Sequence, residues 1–432
     1  MRTIPYLLVC LILLLCVAAS TCANVYYVSK SGHNNNSGLS LTQSWLTVQK
    51  AANTALPGST VYVRAGTYME TVTINVQGNS KDGYITFQNY QQEKVILSGQ
   101  NAKSTSVGDI LNLIYIEDKS YLKIIGFELT SLRAVECSGI RIVGSGSFIE
   151  LRQNVIHNIK GGGNEGGAMA ITVYNKNQQQ SRSELIISNN TIYDCEPAWS
   201  EALTLNGNIE HFQVTYNLVH DVNNIAIDFI GGESGMGSKV TRSGLCSNNT
   251  VYNVNSSYDQ SAAGIYVDGA KNITIKFNRV YNSNLGIEIG AENKGIVASE
   301  ILVTNNYLYN NYKLGLAFGG YDSTRGRVQN CTFQNNVLEN NDRQQTGNGE
   351  IVVSYASRNK VLQNTIKPNS QNIVMFTLPK GNEDNSFDYN LYHPNGKDST
   401  GDDLIFNWNN KEYDGLTQFQ QETGQEKHAK VY

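Results

Sequence analysis

The 432-residue chain carries 33 Lys and Arg against 37 Asp and Glu, a net charge of −4, with its basic residues scattered along the sequence. That balance argues against a nucleic-acid partner, which a basic stripe would recruit. Gly (39) and Tyr (25) are plentiful and Pro (6) is scarce, a usage that fits strands and tight bends.

Residues 1–23 begin Met-Arg, continue with the apolar run Tyr6–Ala19 and end Ser-Thr-Cys-Ala before Asn24. This is the pattern of a secretory signal peptide with a small-residue cleavage site, so a secreted, extracellular protein is expected. The apolar run is short for a membrane span, Cys22 is a poor match for a lipid anchor, and no later segment reads as a span. No membrane partner is expected once the signal is removed. Of the seven Cys, four lie in the mature chain: Cys137, Cys195, Cys246 and Cys331. None forms a metal-type pair; disulfides and buried thiols both remain open. Sequons stand at Asn35, Asn189, Asn248, Asn255, Asn272 and Asn330, which would make a glycoprotein in a source that glycosylates.

Residues 24–75 read as an N-terminal cap with the first coils. A strand (Val25–Ser29) is followed by a polar loop, a helical stretch (Trp45–Ala55), the turn Pro57–Gly58 and a strand (Thr60–Arg64). Residues 76–395 read as a solenoid, and 396–432 as a C-terminal tail that closes it. An open solenoid end exposes core and strand edges, so caps are physically required.

Within the solenoid an Asn recurs ahead of an aliphatic-rich tetrad: QNVIHN, NNTIYD, YNLVHD, NNTVYN, FNRVYN, NNYLYN, NNVLEN and QNTI. The recurring residues are Asn154, Asn190, Asn217, Asn249, Asn278, Asn306, Asn336 and Asn364, 27 to 36 apart. Such a period signals one supersecondary unit stacked on its own copies. Stacked bends would set these amides above one another, each donating to the next. The expected fold is all-β: a single-stranded right-handed parallel β-helix of about ten coils, with a short helix in its N-terminal cap.

The strands that follow the tetrads alternate with period 2. The pairs Ile171/Val173, Leu203/Leu205, Ile227/Phe229, Ile265/Val267, Ile287/Ile289 and Leu316/Phe318 point inward. Three rows are expected to point outward. The first is Ala170, Ala202, Ala226, Gly264, Gly286, Gly315. The second is Thr172, Thr204, Asp228, Tyr266, Glu288, Ala317. The third is Tyr174, Asn206, Ile230, Asp268, Gly290, Gly319. Small side chains let a ligand approach the backbone, so this face reads as a groove.

The stretches YYVSKSG, SWLTVQKA and PGSTVYVRAGTY resemble the N-terminal cap of secreted right-handed β-helix proteins of the pectin-lyase-like superfamily. The resemblance extends over nearly the whole mature chain. It implies a polysaccharide or oligosaccharide partner and one of the reactions run on this fold: glycoside hydrolysis, polysaccharide lysis or uronan epimerisation. It also implies calcium as an alternative role for clustered carboxylates, since some of these lyases use such sites. The paired-Asp tripeptide of polygalacturonases is absent.

The candidate catalytic residues are the outward carboxylates Asp228, Asp268 and Glu288. Carboxyl pairs ~5–9.5 Å apart cleave glycosidic bonds, and rungs one or two strand spacings apart bracket that range. Crowded carboxylates raise one another's pKa, which keeps one protonated as the acid. Tyr266, Asn206, Glu201, Glu233 and Glu292 are candidate substrate contacts. The loop Tyr321, Asp322, Arg325, Arg327 joins them, because an Arg there would clamp a uronate carboxylate. A lyase or epimerase would use Lys271, Lys294, Arg325 or Arg327, none of which lies on the outward rows. Strand-borne carboxylates without a strand-borne Lys therefore favour a hydrolase that needs no cofactor and acts as a monomer. A non-catalytic glycan-binding module is the third reading.

Overall fold

The computed structural model describes residues 24–103, 110–161, 166–396 and 400–432; the segment read as a signal peptide lies outside them. Among the described residues the coils stack into three largely parallel sheets of 16, 13 and 13 strands, the first being larger because three coils give it two short strands each, as Val297–Ser299 and Leu302–Thr304 do. The chain makes about twelve turns rather than ten, roughly 55 Å at one strand spacing per turn. The difference lies before Asn154. Strands such as Ile85–Asn89 and Leu122–Ile125 already pair in the first sheet, but their turns carry no Asn tetrad to count.

The tetrads are short strands of their own. Thr191–Cys195, Leu218–Val222 and Thr250–Val254 pair in register in one sheet, and the tetrad after Asn278 likewise contains the strand Arg279–Tyr281. The recurring Asn residues stack as expected. Asn190 Nδ2 donates to Asn217 Oδ1 at 3.0 Å, Asn217 to Asn249 at 3.1 Å, Asn249 to Asn278 at 3.0 Å and Asn278 to Asn306 at 3.0 Å. Each Oδ1 also accepts a backbone N–H, as Asn217 Oδ1 does from Asn190. A buried amide left unpaired is costly, so the row must stay complete. The ladder runs on to Asn390, which donates to the buried carboxyl of Glu426 at 2.6 Å. The left-handed backbone sits one residue earlier than the ladder position, at Asn189 (φ 57), Tyr216 (φ 58), Asn248 (φ 56) and Phe277 (φ 56).

The inward pairs named above are all fully buried and form one continuous aliphatic core with Phe212, Phe333 and Phe387. Both ends are covered. Helix Val48–Thr54 lays Val48, Ala51 and Ala52 on the first coils, and its first N–H groups bind Glu70 at 2.9 and 3.1 Å, which suits the positive end of a helix. At the other end the hairpin Ile405–Trp408/Lys411–Asp414 and helix Leu416–Thr423 stack Phe419 on Phe406, ring centroids 4.4 Å apart. Cys137, Cys195, Cys246 and Cys331 are free and buried.

Candidate functional site: a groove lined with carboxylates

Five neighbouring strands line the site, Ile227–Ile230, Ala263–Asp268, Leu285–Ala291, Leu314–Gly320 and Ile351–Ser354, and Gly167–Asn175 and Leu203–Gly207 precede them in the same sheet. Their register places Thr172 beside Thr204, Thr204 beside Asp228, Asp228 beside Tyr266, Tyr266 beside Glu288 and Glu288 beside Ala317. The second outward row is therefore continuous. In the third, Asp268 pairs with Gly290 and Gly290 with Gly319. A Cβ on Gly290 would stand 2.7 Å from the Tyr266 ring, so glycine there leaves room for the tyrosine.

The first row is different. A Cβ on Gly264 would meet Val280 Cγ1 at 2.3 Å, and Ala170, Ala202 and Ala226 belong to the main core. These small residues face the interior at the corner where each coil turns into the strand. Two successive residues, Gly286 and Ile287, point inward there. The outward residues are those one place earlier, Ala263, Leu285 and Leu314, which form a separate apolar cluster with Tyr266 and Ala317. The groove floor is thus made of leucines and a tyrosine rather than a stripe of Ala and Gly.

The groove encloses about 940 Å³. Asp228, Asp268 and Glu288 line it together, with Tyr266, Glu201, Glu233, Glu292 and Tyr321. Other expected contacts do not. Asn206 is buried behind the wall, where its amide donates to Glu233. Asp322 closes its own turn by accepting from Thr324 N (2.7 Å) and Arg325 Nε (2.8 Å). Arg325 lies over the Tyr321 ring, 3.8 Å from its centroid, and Arg327 donates to the carbonyls of Asp322 and Ser323 at 3.0 and 2.9 Å. Neither arginine reaches the groove, and Lys271 lies on a different sheet. The groove's basic residue is Lys313, which sits in a loop with no periodic signal. Trp199, in the loop before Leu203, also lines the groove and escaped the row analysis for the same reason. Arg141 does lie on the second row, opposite Thr172. It is three rungs before Asp228, ~14 Å away along the axis, and it stacks on Tyr174.

Burial and mutual repulsion raise the pKa of these acids. Asp228 is 1% exposed, and desolvation, then Glu201 and Asp268, push its carboxyl well above the usual range. Its Oδ1 has no hydrogen-bond partner. Burial lifts Glu288 to about 8, with Glu292 adding to the effect, and Glu201 likewise to about 8 with Glu233 adding. Asp268 reaches about 7, also by burial, against the opposing Glu292 N–H that donates to it at 2.8 Å. Tyr266 donates its hydroxyl to Glu292 at 3.0 Å. Among the described residues, no group of three or more His, Cys, Asp and Glu is assembled as a metal-ion ligand set.

With this geometry in view, likeness to other proteins becomes informative. Over 411 residues the chain is 35% identical to the uncharacterized protein YwoF of Bacillus subtilis (strain 168), covering 92% of this chain and 85% of that one. The chain belongs to the YwoF family. Its residues 237–398 match the model of the right-handed β-helix region, which gives the hand of the solenoid. The fold of this YwoF-family member is shared with solved structures. The GH136 lacto-N-biosidase from Eubacterium ramulus superposes with a TM-score of 0.58 at 12% identity, over 95% of this chain and 67% of that chain. The exopolygalacturonase from Thermotoga maritima gives 0.56 at 10%, over 83% and 86%, and XylC in complex with xylose gives 0.54 at 13%, over 94% and 86%. The fold is therefore the right-handed parallel β-helix that the cap motifs implied.

Proposed function

We propose that this YwoF-family protein is a secreted glycoside hydrolase that cleaves a polysaccharide or oligosaccharide in the groove. The observation that carries the reading is the set of three carboxyls on adjacent rungs, all shifted upward and none facing a cation: Asp228, Asp268 and Glu288. Asp228, the most buried, serves as general acid, its partnerless Oδ1 oriented to protonate a leaving oxygen. Asp268, which a backbone N–H steadies as the anion, serves as base or nucleophile. Glu288, next in the row after Tyr266, lines the groove beside them as the third carboxyl. That three of the similar folds are named for, or hold, carbohydrate agrees with a sugar substrate. A lyase or epimerase must neutralise a uronate carboxylate, and one lysine in a wall of acids suits that poorly.

The test is incubation of the mature protein with a glycan panel, following new reducing ends and the ultraviolet absorbance of unsaturated products. Reducing ends without absorbance support hydrolysis; absorbance assigns a lyase, and neither product leaves a binding module. Secretion rests on residues 1–23, and its check is the N-terminus of exported protein, expected at Asn24.

A further inference from the structure

The groove walls are chemically one-sided. Among the described residues, Glu201, Asp228, Glu233 and Asp259 line it with Asp268, Glu288 and Glu292, against one cation, Lys313. Two polar atoms on the walls are buried and partnerless: Oδ1 of Asp228 and Oδ1 of Asn224, each side chain 1% exposed. Buried polar atoms without partners await a ligand donor or acceptor.

Two large aromatics flank this wall, each 60% exposed. Trp199 precedes the strand Leu203–Gly207, and Tyr321 follows the strand Leu314–Gly320, so they stand at opposite strand ends and four rungs apart, roughly 19 Å along the axis. Both are held. Trp199 packs on Tyr258 with centroids 4.9 Å apart, and the Tyr258 hydroxyl donates to Ala198 O at 2.5 Å. Arg325 covers one face of Tyr321. A rigid exposed ring offers apolar area at low entropic cost to the C–H face of a sugar.

We infer that the groove takes an uncharged glycan, laid diagonally from Trp199 to Tyr321 and free of uronate residues. The inference rests on the carbohydrate reading above and narrows it to a substrate class. A uronate would carry its charge past several acids with no guanidinium to receive it. An uncharged chain presents oxygens that accept from the protonated Asp228, hydroxyls that donate to Asn224 Oδ1, and ring faces that stack at both ends.

Calorimetric titration with xylo-, manno- and laminari-oligosaccharides, and with oligogalacturonates and oligomannuronates, tests this. At least one neutral series should bind. Trp199→Ala and Tyr321→Ala should each weaken it by about 3- to 10-fold, the range that aromatic contacts supply, with far-ultraviolet circular dichroism unchanged. Uronate oligomers should bind at least 10-fold more weakly, including at high salt, where screening removes long-range repulsion. Uronates binding as tightly as the neutral series, no neutral series binding, or neutral binding indifferent to both aromatics would each overturn it. Failure of the hydrolase reading looks different: the neutral oligosaccharide would bind with these sensitivities and be recovered intact.

Discussion

Tyr266 and Glu292 are joined by a 3.0 Å hydrogen bond in the groove, although one is on a strand and the other in the loop that follows the next strand. The same glutamate donates its backbone N–H to Asp268 at 2.8 Å. Tyr266 thus fixes the loop that steadies the Asp268 carboxylate, while standing in register between Asp228 and Glu288.

Tyr266→Phe should leave the fold intact and lower kcat/KM by about 10- to 100-fold, the scale of one hydrogen bond to a charged group. Steady-state kinetics beside a thermal melt check this. An unchanged rate would mean that the Glu292 loop holds its place without the hydroxyl.

The C-terminal end makes a separate prediction about pH. Glu426 accepts from Asn390 Nδ2 and from the Tyr392 hydroxyl at 2.7 Å, while its Oε2 is buried without a partner. Burial raises its carboxyl to about 7. The folded chain therefore holds a proton that the unfolded chain releases near pH 4.3, so stability is full below that value and falls as pH rises toward 7. Glu426→Gln mimics the protonated acid. Between pH 5 and 8 it should gain on the order of 2–3 kcal/mol relative to wild type, read from denaturant titrations. Parallel stability curves would contradict this assignment.

Two glycines separate the corner row from the groove row. Gly264→Ala drives a methyl into Val280 and should destabilise the protein by about 1–3 kcal/mol through overpacking. Gly290→Ala meets the Tyr266 ring instead, so its main effect should fall on substrate turnover. Melting temperatures and kinetics of the two variants, compared side by side, distinguish these outcomes.

Much of this arrangement was legible in the residues. Period-2 strands and the Asn spacing were enough to align Asp228, Tyr266 and Glu288 on consecutive rungs, because a one-residue slip would send every side chain to the other face. The corner broke the rule: Gly286 and Ile287 both point inward, so Leu285 and not Gly286 belongs to the groove. Lys313 and Trp199 stand in loops, where no period exists to place them. The arginines of the loop 321–327 were misplaced because their partners, Asp322 and local carbonyls, are made by the turn itself.

The central claim is that Asp228, Asp268 and Glu288 carry one reaction, and amide replacement tests it most directly. Asp228→Asn, Asp268→Asn and Glu288→Gln keep shape while removing the proton. In wild type the rate should rise with pH through about 7, as Asp268 ionises, and fall at higher pH as the acid is lost. Measured as kcat on a cleaved neutral oligosaccharide, Asp228→Asn and Asp268→Asn should each lose about 10²–10⁴-fold with KM little changed, and Glu288→Gln should shift the pH profile. Three amide variants with wild-type kcat would contradict the account.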